Sequence, residues 1–262
     1  MDENQPREQA GFRKGFGTID HLFTINQVLQ KCHEYQQPLC MAFIDFEKAF
    51  DSIKTSSMIK AITNQGVDQH IVDTLSNIYH SATSRVCLHE ASDYFRIGKG
   101  VRQGDTISPK LFTATLEEAF RNIQWENIGI PIDDKMLTNL RYADDVAKFG
   151  RTPLDLQRAI NRGSEETKQI GLKMNIGKCS VMFNDFCDED SIEIDGQPLE
   201  KMNKFVYLGQ EINTKGDFDG EISRRIQLSW AAFSKFRSIF ISRLPLCLKR
   251  KLLDQCILPV MT

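Results

Sequence analysis

The chain has 262 residues, 41% apolar and 26% charged, so it can bury a real core and lacks the composition of a disordered or fibrous protein. A formal net charge of -2 gives no overall basic footprint, so a nucleic-acid partner would have to be held by a local patch. The opening Met1-Asp2-Glu3-Asn4-Gln5-Pro6-Arg7 is polar and no later apolar run approaches membrane-spanning length, so the expectation is a soluble, intracellular chain without signal peptide, anchor or membrane partner.

Thr18 is read as the cap of a helix that carries Ile19, Leu22, Phe23, Val28 and Leu29 at helical spacing and ends before Pro38. Leu39 to Phe46 is a short apolar run containing Asp45 near its end, which predicts a buried strand. Two helices are expected next, one around Met58, Ile59 and Ile62 stopped by Gly66, the other around Ile71, Val72, Leu75, Ile78 and Tyr79. Arg85 to His89 and Tyr94 to Ile97 read as paired strands across a polar turn. Ser108-Pro109 opens a helix with Leu111, Phe112, Leu116, Phe120 and Ile123. Met136 to Arg141 and Val146 to Phe149 then flank Asp144-Asp145 as the arms of a hairpin.

Thr152-Pro153 starts a further helix ended by Gly171, and Cys179 to Phe183 reads as the strand after it. Asp195-Gly196 is a hairpin turn signal, and Lys204 to Ile212 gives one more strand. From Asp219 the pattern is helical, with a break at Leu244-Pro245. The central order of strand, helix, strand pair, helix and strand suits an α+β fold with a split βαβ, ferredoxin-like sheet. A Gly- and Asp-bearing stretch near Thr214 to Asp219 predicts a boundary before the C-terminal helices.

Charge is unevenly spread. Residues 185 to 200 carry seven acidic side chains and no basic one, whereas residues 221 to 254 carry eight basic and two acidic ones. That basic helical stretch could meet a phosphate backbone, or simply be a solvated face. The seven cysteines form no Cys-x-x-Cys pair and read as reduced thiols, and the five histidines form no zinc-type cluster.

The chemistry rests on carboxylates. Asp45, close to a strand end, and Asp144-Asp145 at a hairpin tip would meet if their strands are neighbours. Three carboxylates so placed suit two hard divalent ions, which nucleotidyl transfer uses to activate a 3′-hydroxyl and to neutralise the leaving pyrophosphate. An Asp-Asp pair alone is ordinary turn chemistry. Its company decides the reading.

Phe43-Ile44-Asp45-Phe46-Glu47-Lys48-Ala49-Phe50-Asp51, Gly100-Val101-Arg102-Gln103-Gly104-Asp105-Thr106-Ile107-Ser108-Pro109 and Tyr142-Ala143-Asp144-Asp145 resemble, in order, the three palm motifs of reverse transcriptases. Gly171-Leu172-Lys173-Met174-Asn175 with Lys178, and Phe205-Val206-Tyr207-Leu208-Gly209, are further matches. Gln9-Ala10-Gly11-Phe12-Arg13-Lys14-Gly15 with Thr18-Ile19-Asp20 is similar to the segment before the palm in non-LTR (LINE-type) retrotransposon enzymes.

The resemblance implies an RNA-directed DNA polymerase that uses two Mg²⁺, with Mn²⁺ as a substitute, and takes an RNA template, a DNA primer and dNTPs. It implies Asp45, Asp144 and Asp145 as catalytic metal ligands, and dNTP contacts from Phe46, Phe50, Gln103, Gly104 and Lys178. Phe50 matches the steric gate against a 2′-hydroxyl, with core packing of the ring as the lesser alternative. Lys173 is the fallback for Lys178, and Asp51 is expected to brace its motif. Tyr207, Leu208 and Gly209 match the primer grip, and Arg13, Arg102, Arg224 and Arg225 are candidate nucleic-acid contacts.

The implied domains are a residual fingers segment at 1–38, a palm with insertions at 39–213 and the start of a helical thumb at 214–262. By the same resemblance most of the fingers, the end of the thumb and an endonuclease domain are missing, as in a fragment, and a nuclear location is consistent with the family. Lys148 stands where that hairpin arm is usually apolar. An inactive remnant that only binds nucleic acid is the alternative, and an RNA-templated RNA polymerase is a weaker one that Phe50 argues against.

Overall fold

The computed structural model describes residues 2–89, 91–126 and 128–261. Helix α1 (Thr18–Glu34) leads to strand β1 (Cys40–Ile44), followed by the short α2 (Ala49–Ser52), α3 (Thr55–Asn64) and α4 (Gln69–His80). A two-residue ladder, β2 (Thr83–Ser84) with β3 (Phe95–Arg96), precedes α5 (Ser108–Arg121). Then come the small hairpin β4 (Ile130–Ile132) and β5 (Lys135–Leu137), the longer hairpin β6 (Asn139–Tyr142) and β7 (Asp145–Gly150), helix α6 (Pro153–Gln169) and β8 (Ser180–Phe183). The short strands β9 (Glu193–Ile194), β10 (Gln197–Pro198) and β11 (Glu200–Lys201) close this part of the chain.

The main sheet runs in the order β11-β8-β1-β7-β6. Leaving out the short β11, the strands read across the sheet are fourth, first, third and second in the chain (β8, β1, β7, β6), and α5 and α6 supply the two crossovers. That is the expected ferredoxin-like palm. β1 is central because Cys40-Met41-Ala42-Phe43-Ile44 is buried at every position, the continuous apolar run of a strand covered on both faces. Both neighbours pair with it antiparallel, Ile44 opposite Val146 on one side and Ala42 opposite Val181 on the other.

The helices start where their caps put them. Thr152 Oγ1 accepts the Asp155 N–H at 3.1 Å and Pro153 sits in the first turn, so α6 begins there and turns Leu156, Ala159, Ile160 and Gly163 inward. Asp68 caps α4 through the His70 N–H at 2.9 Å. For α1 the cap is Gly17 rather than Thr18, because the Asp20 carboxylate reaches back to the Gly17 N–H at 2.7 Å. Met58 and Ile62 of α3, Leu111, Phe112 and Leu116 of α5, and Leu156 and Ile160 of α6 join Ala42, Ile44, Val146 and Val181 in one core.

Three expectations are corrected. The paired strands Arg85 to His89 and Tyr94 to Ile97 shrink to β2, which lies just before the first expected strand, and β3, which lies within the second, and only Thr83–Ser84 pairs with Phe95–Arg96; Val86 and Leu88 are 51% and 84% exposed, so no face is buried to hold a longer ladder. Met136 belongs to the separate β4–β5 hairpin, not to β6. Lys204 to Ile212 is not one strand but a hairpin, β12 (Lys204–Tyr207) and β13 (Gln210–Asn213), closed by Leu208 and Gly209 at φ of 46° and 85°.

The chain divides into two compact units, Met1–Asn203 and Lys204–Thr262. The second holds the β12–β13 hairpin, α7 (Asp219–Lys235), α8 (Arg237–Ile241) and α9 (Leu246–Leu252). Within this unit the hairpin is tied to the helices: the Glu221 carboxylate on α7 accepts the Glu211 N–H of β13 at 2.8 Å. In the opening segment Gln9 is bridged in parallel to Arg141 of β6. All seven cysteines are free, and no helix among the described residues is long and apolar enough to cross a membrane.

Candidate active site

Two strand ends make the site. Asp45 follows β1 directly, and since Ile44 pairs with Val146, one further step of the register brings Asp45 level with Asp145, the first residue of β7. Tyr142 pairs with Asp145 across a two-residue turn, Ala143-Asp144, so Asp144 stands at the tip beside them. Ala143 takes the left-handed conformation at φ 59°, an unusual state for a residue with a Cβ.

The electrostatics favour a cation. Asp145 is raised to about 6, first by burial of its carboxyl and then by the charges of Asp144 and Asp45, with Lys178 pulling the other way. Asp144 is also raised, mainly by burial and further by Asp45, against its own backbone hydrogen bond and Lys178. Asp45 Oδ2 is buried without a hydrogen-bond partner, and Lys178 Nζ stands 3.5 Å from it. Among the described residues no three Asp, Glu, His or Cys side chains are gathered as a cation cage. The Asp45 oxygen, without a hydrogen bond and with Lys178 as its ion-pair partner, and two raised neighbouring carboxyls are oxygen donors of the kind hard divalent ions take.

The surroundings come from the expected motifs. Lys178 lies on a 3₁₀ turn, Ile176–Lys178, while Lys173 pairs with Glu47 at 3.2 Å, so Lys178 is the lysine at the carboxylates. Phe46 bridges Met174 through bonds made by its neighbours, Glu47 N–H to Lys173 C=O and Asn175 N–H to Asp45 C=O, both at 2.8 Å. The Phe50 ring stacks on Phe112, centroids 4.5 Å apart and 6° from parallel, and meets Phe12 edge-on at 6.3 Å. Gln103 Nε2 donates to Asp51 Oδ1 at 2.9 Å, which gives Asp51 its bracing part, and Gly104 follows at φ 85°.

The arginines are more committed than their charge suggests. The Arg13 guanidinium donates to the carbonyls of Pro6 and Gln9 and lies over the Phe16 ring, so it ties its own loop. Arg102 is exposed, 6.0 Å from the Tyr79 ring centroid. In the second unit, Arg224 and Arg225 both grip Glu221, at 2.7 and 2.6 Å, and both donate to the Gly209 carbonyl in the hairpin turn. Burial works against ionising Glu221, yet those bonds and the Glu211 N–H outweigh it and hold its carboxyl at about 2. Tyr207, Leu208 and Gly209 therefore sit on a turn anchored to α7.

Three supports surround the site, of which the sequence singled out only Lys148. Glu117 and Arg141 form a buried pair at 2.9 Å, with the guanidinium 4.4 Å from the Phe120 ring centroid. Lys148 is fully buried, donates to the Ala159 carbonyl at 2.6 Å, and is lowered to about 7 by burial first and Arg141 second. Gln9 is also fully buried, and its side-chain oxygen accepts the Ala143 N–H of the Ala143-Asp144 turn at 3.2 Å. Its only sequence signal was the match of the Gln9-Ala10-Gly11 segment.

Residues 1–212 match the family described as reverse transcriptase (RNA-dependent DNA polymerase). The chain is 29% identical over 199 residues to the Retrovirus-related Pol polyprotein from type-2 retrotransposable element R2DM of Drosophila melanogaster, covering 76% of this chain and 18% of that protein. It is 25% identical over 218 residues to the RNA-directed DNA polymerase from mobile element jockey of Drosophila funebris, covering 78% and 23%. It therefore spans less than a quarter of the length of either relative. A solved telomerase from Candida tropicalis, in complex with a TWJ fragment of telomeric RNA, superposes with a TM-score of 0.59 over 88% of this chain and 39% of its own, at 16% identity, which is a likeness of fold. The family match runs through every strand of the palm sheet, and the chain belongs to the reverse transcriptase (RNA-dependent DNA polymerase) family, as a domain of the non-LTR retrotransposon type.

Proposed function

We propose that this domain carries out nucleotidyl transfer from a dNTP to the 3′-hydroxyl of a DNA primer paired with an RNA template. The observation that carries the reading is the placement of Asp45, Asp144 and Asp145 at adjacent strand ends, with Lys178 beside Asp45 and with Asp144 and Asp145 held above the usual carboxylate range. Divalent ions bound there, Mg²⁺ or Mn²⁺, would favour ionisation of the 3′-hydroxyl and neutralise the leaving pyrophosphate. Asp45 and Asp144 are the principal ligands in this reading, with Asp145 as the third acid.

The other residues position the substrate. Lys178 neutralises Asp45 before the nucleotide enters and is then within reach of the departing phosphates. The ladder bonds beside Phe46 are made by Glu47 and Asp45, which keeps the Phe46 main chain out of that ladder and suits it to a triphosphate. Phe50 acts as the steric gate, and its stacking on Phe112 is what makes its ring a rigid wall. Gln103, fixed by Asp51, and Gly104 line the nascent pair. Tyr207, Leu208 and Gly209 form the primer grip, and the exposed Arg102 is the better nucleic-acid contact among the four arginines, since Arg13, Arg224 and Arg225 are engaged within the protein.

Primer extension on a poly(rA) template with oligo(dT), dTTP and Mg²⁺ tests the reading. The wild-type chain should extend the primer, and Asp144→Asn should lose more than the roughly 100-fold that removal of a supporting partner costs at a metal site. Extension retained in folded Asp144→Asn would overturn the ligand assignment, and template binding without any wild-type product would return the inactive remnant. Phe50→Ala should raise incorporation of ribonucleotides relative to deoxynucleotides, and an unchanged ratio would leave Phe50 as a packing residue.

A further inference from the structure

The opening segment reaches the catalytic turn from behind. The Arg141 N–H donates to the Glu8 carbonyl at 2.7 Å and the Ala10 N–H to the Arg141 carbonyl at 3.0 Å, so the segment lies along the outer edge of β6. Between those bonds the Gln9 side chain turns inward, fully buried, and its Oε1 accepts two backbone N–H groups, Gly11 at 2.9 Å and Ala143 at 3.2 Å. Ala143 is the first residue of the turn that carries Asp144. It is buried, and a buried N–H without a partner is strongly disfavoured.

The second contact is steric. A Cβ on Gly11 would fall 2.3 Å from the Ala143 nitrogen and 2.9 Å from the Tyr142 carbonyl carbon, distances that real side chains do not tolerate. The main chain of the opening segment is therefore pressed directly on the main chain of the turn. A left-handed alanine persists only where its surroundings over-determine it. Here Gln9 supplies the hydrogen bond and Gly11 the close wall.

We propose that Gln9 is a positioning residue for the catalytic turn: its amide oxygen, with Gly11 packed behind, holds Ala143 in the left-handed state that aims Asp144 and Asp145 at a divalent ion. The inference rests on the reading of these two acids as metal carriers. Gln9 touches neither substrate nor ion. Its effect passes through one backbone N–H.

The test uses the full 262-residue chain with Gln9→Met, which keeps the volume and removes the acceptor, and Gln9→Glu, whose carboxyl oxygen can still accept. Amide exchange at Ala143 and Mn²⁺ binding, followed by the resonance of free Mn²⁺, are read beside exchange in β1 and β8 as a measure of the fold. Gln9→Met should speed Ala143 exchange and weaken Mn²⁺ binding, each by about tenfold, with the β1 and β8 amides unchanged. Gln9→Glu should keep both near wild type. If Gln9→Met leaves Ala143 exchange and Mn²⁺ binding as they are, or loosens β1 and β8 equally, the positioning role is wrong while the metal site stands. If the wild-type chain binds no Mn²⁺, both readings fall together.

Discussion

Asp145 shows how a site suited to cations bears on stability. Its carboxyl is raised from 3.8 to about 6 in the folded chain, so folding takes up a proton between those values and stability falls as pH rises through that window. Above it the repulsion among Asp45, Asp144 and Asp145 is fully present. Asp145→Asn should therefore melt higher than wild type at pH 7.5, with the difference disappearing below pH 4. Mg²⁺ should raise the melting temperature of wild type more than that of the variant; equal shifts would place the ion elsewhere. Lys148 behaves with the opposite sign. Lowered from 10.5 to about 7, it releases a proton on folding, so stability rises with pH between those values. Lys148→Met should remove that slope in urea titrations and stabilise the chain by roughly 1–3 kcal/mol at pH 7, because a buried ammonium is replaced by an apolar group of similar size.

Among the elements, α6 and β7 are adapted to one another at a single point. A Cβ on Gly163 of α6 would sit 1.9 Å from Lys148 Nζ, and the lysine has no exposed route of escape. Gly163→Ala should cost about 1–3 kcal/mol in wild type through overpacking. In a Lys148→Ala background the same change should instead stabilise by up to about 1 kcal/mol, since alanine is the better helix former. A double-mutant cycle followed by chemical denaturation measures both signs, and additive effects would show that the helix moves aside. The β12–β13 hairpin offers a comparable test. Glu221 at about 2 contributes stability above pH 4.5 that is lost as pH falls toward 2, so Glu221→Gln should loosen the Leu208-Gly209 turn at neutral pH, seen as faster amide exchange in β13.

The same elements show what the sequence could and could not reveal. β1 was legible because a continuous apolar run that carries Asp45 just past its end has one natural place, the middle of a sheet. The acids came together because the β1–β7 register follows from that placement. Gln9 was not legible as a support, since its partner Ala143 lies 134 residues away and a hydrogen bond donated by main chain to a side-chain oxygen leaves no periodicity. Arg13 looked like a free cation because carbonyls of its own loop carry no charge to betray the pairing. The β12–β13 turn was hidden because Leu-Gly lacks the Asn or Asp that usually announces two left-handed residues.

At the scale of the molecule the two units are unequally cored. The principal cluster draws its residues from Cys40 to Leu199, all in the first unit. In the second, Tyr207, Ile212 and Ile257 are the buried apolar residues, while Trp230, Ile241 and Leu246 are 65%, 78% and 82% exposed. Cooperative stability should reside in the first unit. A chain ending at Asn203 should melt as one transition within a few degrees of the full chain and retain Mn²⁺ binding, whereas loss of cooperative melting would show that the sheet depends on residues beyond it.

The two-residue turn between Tyr142 and Asp145 also says how such a domain decays. Because side chains alternate along a strand, losing or gaining one codon between Tyr142 and Val146 would turn Asp145 to the opposite face and pull Asp144 off the tip, whatever residues remained. A substitution elsewhere in the palm trims stability by degrees. Copies of this domain drifting without selection should tolerate many changes of identity, and a change of length at this spot would silence them in a single step.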